Sequence, residues 1–181
     1  MTEPSKTLRP RQAWFLGVTA LAVVLFFAFI ILPYVDPKKP KFSGVDAPAF
    51  DLELISGGAR GDRARLSDWA GKKVVLDFWA SWCRPCREQT ELLVRLAPEL
   101  GPNVVVLGVA MSEPRVDAEK FLAEHPTPYS NAYDENNELA NRLGVTELPT
   151  LLVLDGQGTI KSASNRLLSE KELRSMIQAA D

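Results

Sequence analysis

The chain predicts a layered α/β domain, a central mixed β-sheet flanked by helices, preceded by one N-terminal transmembrane helix. Three observations predict it. Residues 74–79, Val-Val-Leu-Asp-Phe-Trp, form an apolar, β-branched run of the kind buried inside a sheet. Helix formers follow from Arg87 to Leu100, and a second apolar run spans residues 104–110. Two buried strands joined by a helix make a right-handed unit with parallel strands. The third observation lies upstream, where Ala13 to Leu32 is almost continuously apolar.

That upstream segment comes first in the chain. Residues 12–35 carry no charge, and ~20 helical residues at ~1.5 Å rise cross a ~30 Å hydrocarbon core. A cleaved signal peptide would have a shorter apolar region ending in a small-x-small site. Ala20-Leu21-Ala22 offers small residues, but the run continues apolar from Val23 to Leu32. The segment therefore reads as an uncleaved signal anchor, with residues 1–11 as a cytoplasmic tail. Lys6, Arg9 and Arg11 precede it, whereas Lys38, Lys39 and Lys41 follow it, so the positive-inside balance is nearly even. The short basic tail favours an internal N-terminus. Residues 36–44 form a linker stiffened by Pro37 and Pro40. Residues 45–181 are the folded domain. It would face the periplasm or cell exterior from a bacterial inner membrane, an oxidising compartment.

Within the domain, Phe50, Leu52 and Leu54 alternate with Asp51 and Glu53, the pattern of a half-buried strand. Gly57, Gly58 and Gly61 mark a loop, and residues 67–71 read as a short helical turn closed by glycine. After the second buried strand comes a helix over 114–124, then a shorter one over 138–143 that stops at Gly144. Residues 151–154 read as a strand, and Asp155-Gly156-Gln157-Gly158 turns it into a hairpin. Ser169 and Glu172 form a capping box for the last helix, whose apolar face carries Leu173, Met176 and Ile177. From residue 42 onward carboxylates outnumber cations, which argues against nucleic acid as a partner.

The chemistry concentrates in residues 82–86, Trp-Cys-Arg-Pro-Cys. Cys83 and Cys86 are the only cysteines of the 181 residues. Strand, then C-x-x-C, then helix is the setting of thiol–disulfide exchange. Cys83 falls at the helix N-terminus, where unpaired N–H groups and the helix dipole favour a thiolate. Cys86 lies one turn on, placed to close a disulfide with Cys83. Pro85 suits the first helical turn, and Arg84 brings positive charge. Two other readings exist for such a pair. A zinc site needs three or four protein ligands, yet the sole histidine is His125 and no second cysteine pair exists. A structural disulfide closing so short a loop would stabilise little.

Residues 77–87, Asp-Phe-Trp-Ala-Ser-Trp-Cys-Arg-Pro-Cys-Arg, closely resemble the active-site stretch of thioredoxin-fold proteins. Residues 144–150, Gly-Val-Thr-Glu-Leu-Pro-Thr, resemble their second signature, a cis-proline loop before a strand. With the turn at 66–71, the helix at 114–124 and the anchor, the chain resembles the TlpA/ResA group of membrane-anchored thiol–disulfide oxidoreductases. The resemblance implies a thioredoxin-like fold. It makes Cys83 the attacking thiolate, Cys86 the resolving thiol and Pro149 a cis residue facing the disulfide. It places Trp82, Arg84, Pro85, Leu148 and Thr150 on the substrate surface. It also sets Asp77 beneath Cys86, where a buried carboxylate of raised pKa takes that thiol's proton. A solvated Asp77 at a strand edge is the competing reading. Some positions depart from the pattern: Glu91 stands where thioredoxins have a helix-kinking proline, Gln89 where many TlpA-like proteins have glutamate, Glu147 where glycine is common, and Asp77 where many TlpA-like sequences carry asparagine.

The expected activity is reduction of disulfides in envelope proteins, with cytochrome c maturation among the implied settings. The alternatives are a dithiol oxidase of exported proteins and a Cu(I)-binding thiol module. Expected partners are protein disulfides or thiols and a membrane-embedded reductant of the thiol-transfer type. No cofactor is expected beyond the redox-active Cys83–Cys86 pair, no metal site, and a monomeric state.

Overall fold

The computed structural model describes residues 44–180, together with helical residues at 18–19, 21–23 and 25–26. The chain divides into two units, Met1–Lys39 and Pro40–Asp181. The span expected at 12–35 lies mostly outside the described residues, as do the tail and most of the linker. Among the described residues no helix is long and apolar enough to cross a membrane. Those helical residues that are described include Val18, Leu21, Val23, Leu25 and Phe26, all apolar and exposed.

In chain order the domain holds β1 (Val45–Asp46), β2 (Asp51–Ser56), β3 (Arg63–Arg65), a 3₁₀ turn at Leu66–Trp69 and β4 (Lys73–Trp79). Next come α1 (Arg84–Leu96), β5 (Val104–Ala110), α2 (Arg115–Glu124), β6 (Ser130–Tyr133) and α3 (Glu138–Leu143). The chain closes with β7 (Thr150–Leu154), β8 (Thr159–Ser164) and α4 (Glu170–Gln178). One sheet runs β1-β8-β7-β4-β5-β6-β2-β3. It is mixed: β4 and β5 are parallel, as are β5 and β6, while β7 runs antiparallel to β4. Being central, β4 is buried on both faces, which is why its sequence is apolar nearly throughout.

Alternation along β4 divides the core. Val74, Leu76 and Phe78 pack with Leu107, Val109, Leu152, Leu154 and the α3 residues Leu139 and Leu143. Val75 faces the other way, against Leu92, Leu93 and Leu96 of α1 and Leu173 and Ile177 of α4. Trp79, at the end of the strand, packs with Cys83, Cys86 and the α2 residues Ala118, Phe121 and Leu122. Leu93 is fully buried, so truncating it to alanine costs about 2–5 kcal/mol.

The expected elements form with local adjustments. The helix read as far as Leu100 ends at Leu96, and a 3₁₀ turn over Ala97–Glu99 follows. Pro98 lacks the N–H that would continue the helical ladder. Through Glu91, α1 runs unbroken. The capping box of α4 forms as read from Ser169 and Glu172. The strands β1, β3 and β6 were not expected from the sequence.

Candidate active site

Cys83 is the N-cap residue of α1, and its Sγ accepts the Cys86 N–H at 3.2 Å. The two cysteines form a disulfide, with S–S 2.00 Å and Cα–Cα 5.2 Å. Pro85 occupies the first turn of α1, where its missing N–H interrupts no helical bond. Cys83 is 4% exposed and Cys86 1%, so what little access the pair has favours Cys83. Trp82, immediately before it, is 62% exposed. Arg84 reaches outward to Glu88 of the next turn at 3.9 Å, and its side chain is 92% exposed. Its charge therefore lies along the helix surface in high dielectric, where it acts weakly on the sulfur.

The second sequence signature meets the first in space. The Leu148–Pro149 bond is cis, and Pro149 is buried. Leu148 is half-buried and packs against the cluster that contains Cys83 and Cys86. Thr150, the first residue of β7, donates its hydroxyl to the Glu147 carbonyl at 2.7 Å. The Glu147 carboxylate accepts a bond from the Asn165 amide at 2.7 Å, at the far end of β8. Its charge is thus engaged with Asn165 on an exposed rim.

Asp77 shares its β4 face with Val75 and Trp79, and Trp79 packs with Cys86. The carboxyl thus lies under α1, between the Val75 cluster and the disulfide cluster. It is 1% exposed, and among the described residues neither oxygen has a hydrogen-bond partner. Burial pushes its pKa up to about 8, because the charged form has lost water and gained nothing in return. The solvated strand-edge reading does not hold: β4 is flanked by β5 and β7. Tyr129 is also affected. Burial raises its phenol first and the Asp77 charge raises it further, against a bond with Thr90, one turn beyond Cys86 on α1.

Several residues near the disulfide escaped the sequence reading. Ser81 donates both its N–H, at 2.8 Å, and its hydroxyl to the Glu113 carboxylate. Arg87 donates two bonds to the Ser81 carbonyl, at 3.1 and 2.8 Å, and lies over the Phe121 ring. The Trp82 indole N–H reaches the Ser112 carbonyl at 3.2 Å. Below them, Trp79 donates to Asn131 at 3.1 Å across Gly108. A Cβ at Gly108 would stand 1.9 Å from Asn131 Oδ1, so glycine is required there. The signal that could have located Glu113 is its place just past the C-terminal end of β5, beside the end of β4, where open parallel sheets form their sites. His125 stacks on Phe121 at 4.5 Å, on the exposed side of α2.

A disulfide capping a helix, a cis-proline loop packed against it and an uncompensated carboxyl beneath define a thioredoxin-like thiol–disulfide oxidoreductase. The chain belongs to the AhpC/TSA family, whose family model matches residues 43–163. It is 32% identical to the thiol:disulfide interchange protein HelX of Rhodobacter capsulatus, over 81% of this chain and 82% of that one. It is 28% identical to the thiol-disulfide oxidoreductase ResA of Geobacillus thermodenitrificans, over 75% of this chain and 76% of that one. The solved structure of a DsbF homologue from Corynebacterium diphtheriae superposes with a TM-score of 0.67 at 25% identity. That match covers 78% of this chain and 90% of the other.

Proposed function

We propose that this chain is a membrane-tethered reductase of disulfides in envelope proteins. The observation that carries the reading is the buried Asp77 carboxyl, with no partner of its own, on the β4 face under the Cys83–Cys86 pair. In the reduced protein Cys83 is the thiolate, held by the α1 N-terminus. It attacks a substrate disulfide, forming a mixed disulfide and expelling one substrate thiolate, which takes a proton from solvent. Cys86 then gives its proton to Asp77 in its ionised form, the minor form at neutral pH, and attacks the Cys83 sulfur. The second substrate thiolate leaves, the Cys83–Cys86 disulfide closes, and two electrons have passed to the substrate. A membrane-embedded dithiol donor would restore the reduced pair.

A carboxyl with a pKa near that of the working pH suits this proton transfer. The cis Leu148–Pro149 loop and Trp82 would offer the surface on which an extended substrate segment lies, with Pro85 and Arg84 around it; Thr150, expected on that surface, is buried at 3% exposure and instead braces the loop through Glu147. The exposed apolar helical residues Val18, Leu21, Val23, Leu25 and Phe26 support the tether. The names of the relatives support thiol–disulfide exchange as the reaction class.

The reduction potential separates reductase from oxidase. The full chain in detergent, equilibrated with dithiol buffers, should show a potential nearer to about −270 mV, as for thioredoxin, than to about −120 mV, as for a strong dithiol oxidant. A value near the latter would make the protein an oxidase of exported proteins. Topology has its own check. A periplasm-dependent phosphatase fused after Asp181 should be active, and an inactive fusion would put the domain in the cytoplasm.

A further inference from the structure

The turn that leads into Cys83 is held from two sides. Ser81 has three backbone and side-chain polar groups, and all three are engaged. Its N–H and hydroxyl go to the two oxygens of Glu113, and its carbonyl receives the Arg87 guanidinium. Glu113 is fixed in turn: the Tyr133 hydroxyl donates to its carbonyl at 2.8 Å. Its neighbour Ser112 sits at φ 59° with its N–H bonded to Asn137 at 2.7 Å. A non-glycine residue in that region is kept there by its surroundings. The loop after β5 is therefore a built support for the loop after β4, and it also holds the exposed Trp82 by its indole N–H.

We propose that Glu113 is the positioning residue of the nucleophile: by taking both Ser81 donors it fixes the turn that sets Cys83 Sγ on the first N–H groups of α1. The inference rests on Cys83 being the attacking thiolate. Stabilisation of that thiolate by helix amides falls off within one turn and depends on their direction. A turn free to swing would lose part of it. Charged or titratable groups on the elements packed around Cys83 include Arg84, Arg87, Glu88 and Glu91 of α1, Asp77 of β4, Tyr133 of β6, Arg115 and Lys120 of α2 with His125 at its end, and Glu113 and Glu147 in the loops. Arg84 faces Glu88 and Glu147 faces Asn165. Glu113 thus exerts two opposed effects on Cys83. Its negative charge disfavours the thiolate, while its hold on Ser81 favours it.

The sign of one measurement tells which effect dominates. The reduced full chain in detergent is alkylated with iodoacetamide across a pH series, and Cys83 and Cys86 are read separately by peptide mapping. Glu113→Ala should raise the Cys83 midpoint by about half a unit, the size of a helix-terminus contribution. It should also slow the first attack on a model disulfide at neutral pH about threefold, in step with the smaller thiolate fraction. Glu113→Gln keeps an acceptor for the Ser81 N–H and removes the charge, so its midpoint should fall at or below that of the parent. An unchanged or lowered midpoint in Glu113→Ala overturns the proposal, since it makes Glu113 a charge and nothing more. Should Glu113→Ala fail to fold, Ser81→Ala carries the test, because it removes one of the two bonds. A smaller rise supports the proposal and no rise overturns it. If Cys86 is alkylated before Cys83 in the parent, the underlying reading of Cys83 fails. That is a different result from Cys83 reacting first and ignoring every substitution.

Discussion

Two buried carboxyls in this domain live under opposite rules. Asp155, in the turn between β7 and β8, accepts N–H bonds from Gln157 and Thr159, each at 2.9 Å, and faces Lys161 at 3.3 Å. Burial alone would raise its pKa, but the two amides and the lysine outweigh it, and the pKa ends up lowered. Asp77 lies deeper, 1% exposed against 7% for Asp155, and its pKa rises to about 8 because burial acts on it unopposed. The first carboxyl replaces its lost water with protein donors and fixes a hairpin. The second is kept uncompensated, which lowers stability and keeps the carboxyl protonated well above the usual carboxylate range. Uncompensated burial next to a reactive pair is a mark of chemistry, and compensated burial in a turn is a mark of architecture.

Breaking the compensated carboxyl should have a large effect on folding. Asp155→Ala leaves two amides of the turn unpaired and should cost about 2–4 kcal/mol in chemical denaturation. Because the folded pKa of Asp155 is lowered, that contribution is present above the unfolded value of 3.8 and is lost as pH falls below it. The difference between parent and variant should therefore shrink at acid pH.

Asp77→Asn should run the other way. The folded protein holds a proton on Asp77 that the unfolded chain releases, so the parent loses stability as pH rises from about 4 to about 8. The variant is free of that loss. Its gain should be absent near pH 4 and grow toward pH 8 at up to about 1.4 kcal/mol per unit. The buried Asn amide offsets it by a pH-independent amount of about 1–3 kcal/mol. Equal denaturation differences at pH 5 and pH 8 would show that Asp77 is not held protonated.

Smaller effects sharpen the same contrast. Gly108→Ala should cost about 1–3 kcal/mol by pushing Asn131 off the sheet beside Asp77. Glu147→Gln, at an exposed carboxylate, should shift stability by no more than about 0.5 kcal/mol.

The contrast also explains what the sequence could disclose. Asp77 was legible because a carboxylate within Val-Val-Leu-Asp-Phe-Trp violates the pattern of its own strand. The cysteines were legible as a C-x-x-C at a strand-to-helix turn, and Pro149 through the resemblance of residues 144–150 to a cis-proline signature. β4, β5, the β7–β8 hairpin and the α4 capping box follow from periodicity and turn chemistry. β6 was not legible. Its Ser-Asn-Ala-Tyr is polar because Asn131 serves Trp79, Ser56 and Thr127 inside the fold. β3 has three residues, only one of them apolar and buried, too few to show alternation. Glu113 was hidden for a related reason: Ser81 lies 32 positions away, and no local pattern announces so distant a pairing.

Asp77 as a proton acceptor for Cys86 should leave Cys83 alone. Stopped-flow reduction of a model disulfide by the full chain, with mixed disulfide quenched and quantified, resolves the two steps. Asp77→Asn should slow resolution by Cys86 about a hundredfold, the usual size of a lost proton acceptor, while first attack by Cys83 stays within about twofold. Unchanged resolution, or equal slowing of both steps, would show that Asp77 takes no proton from Cys86.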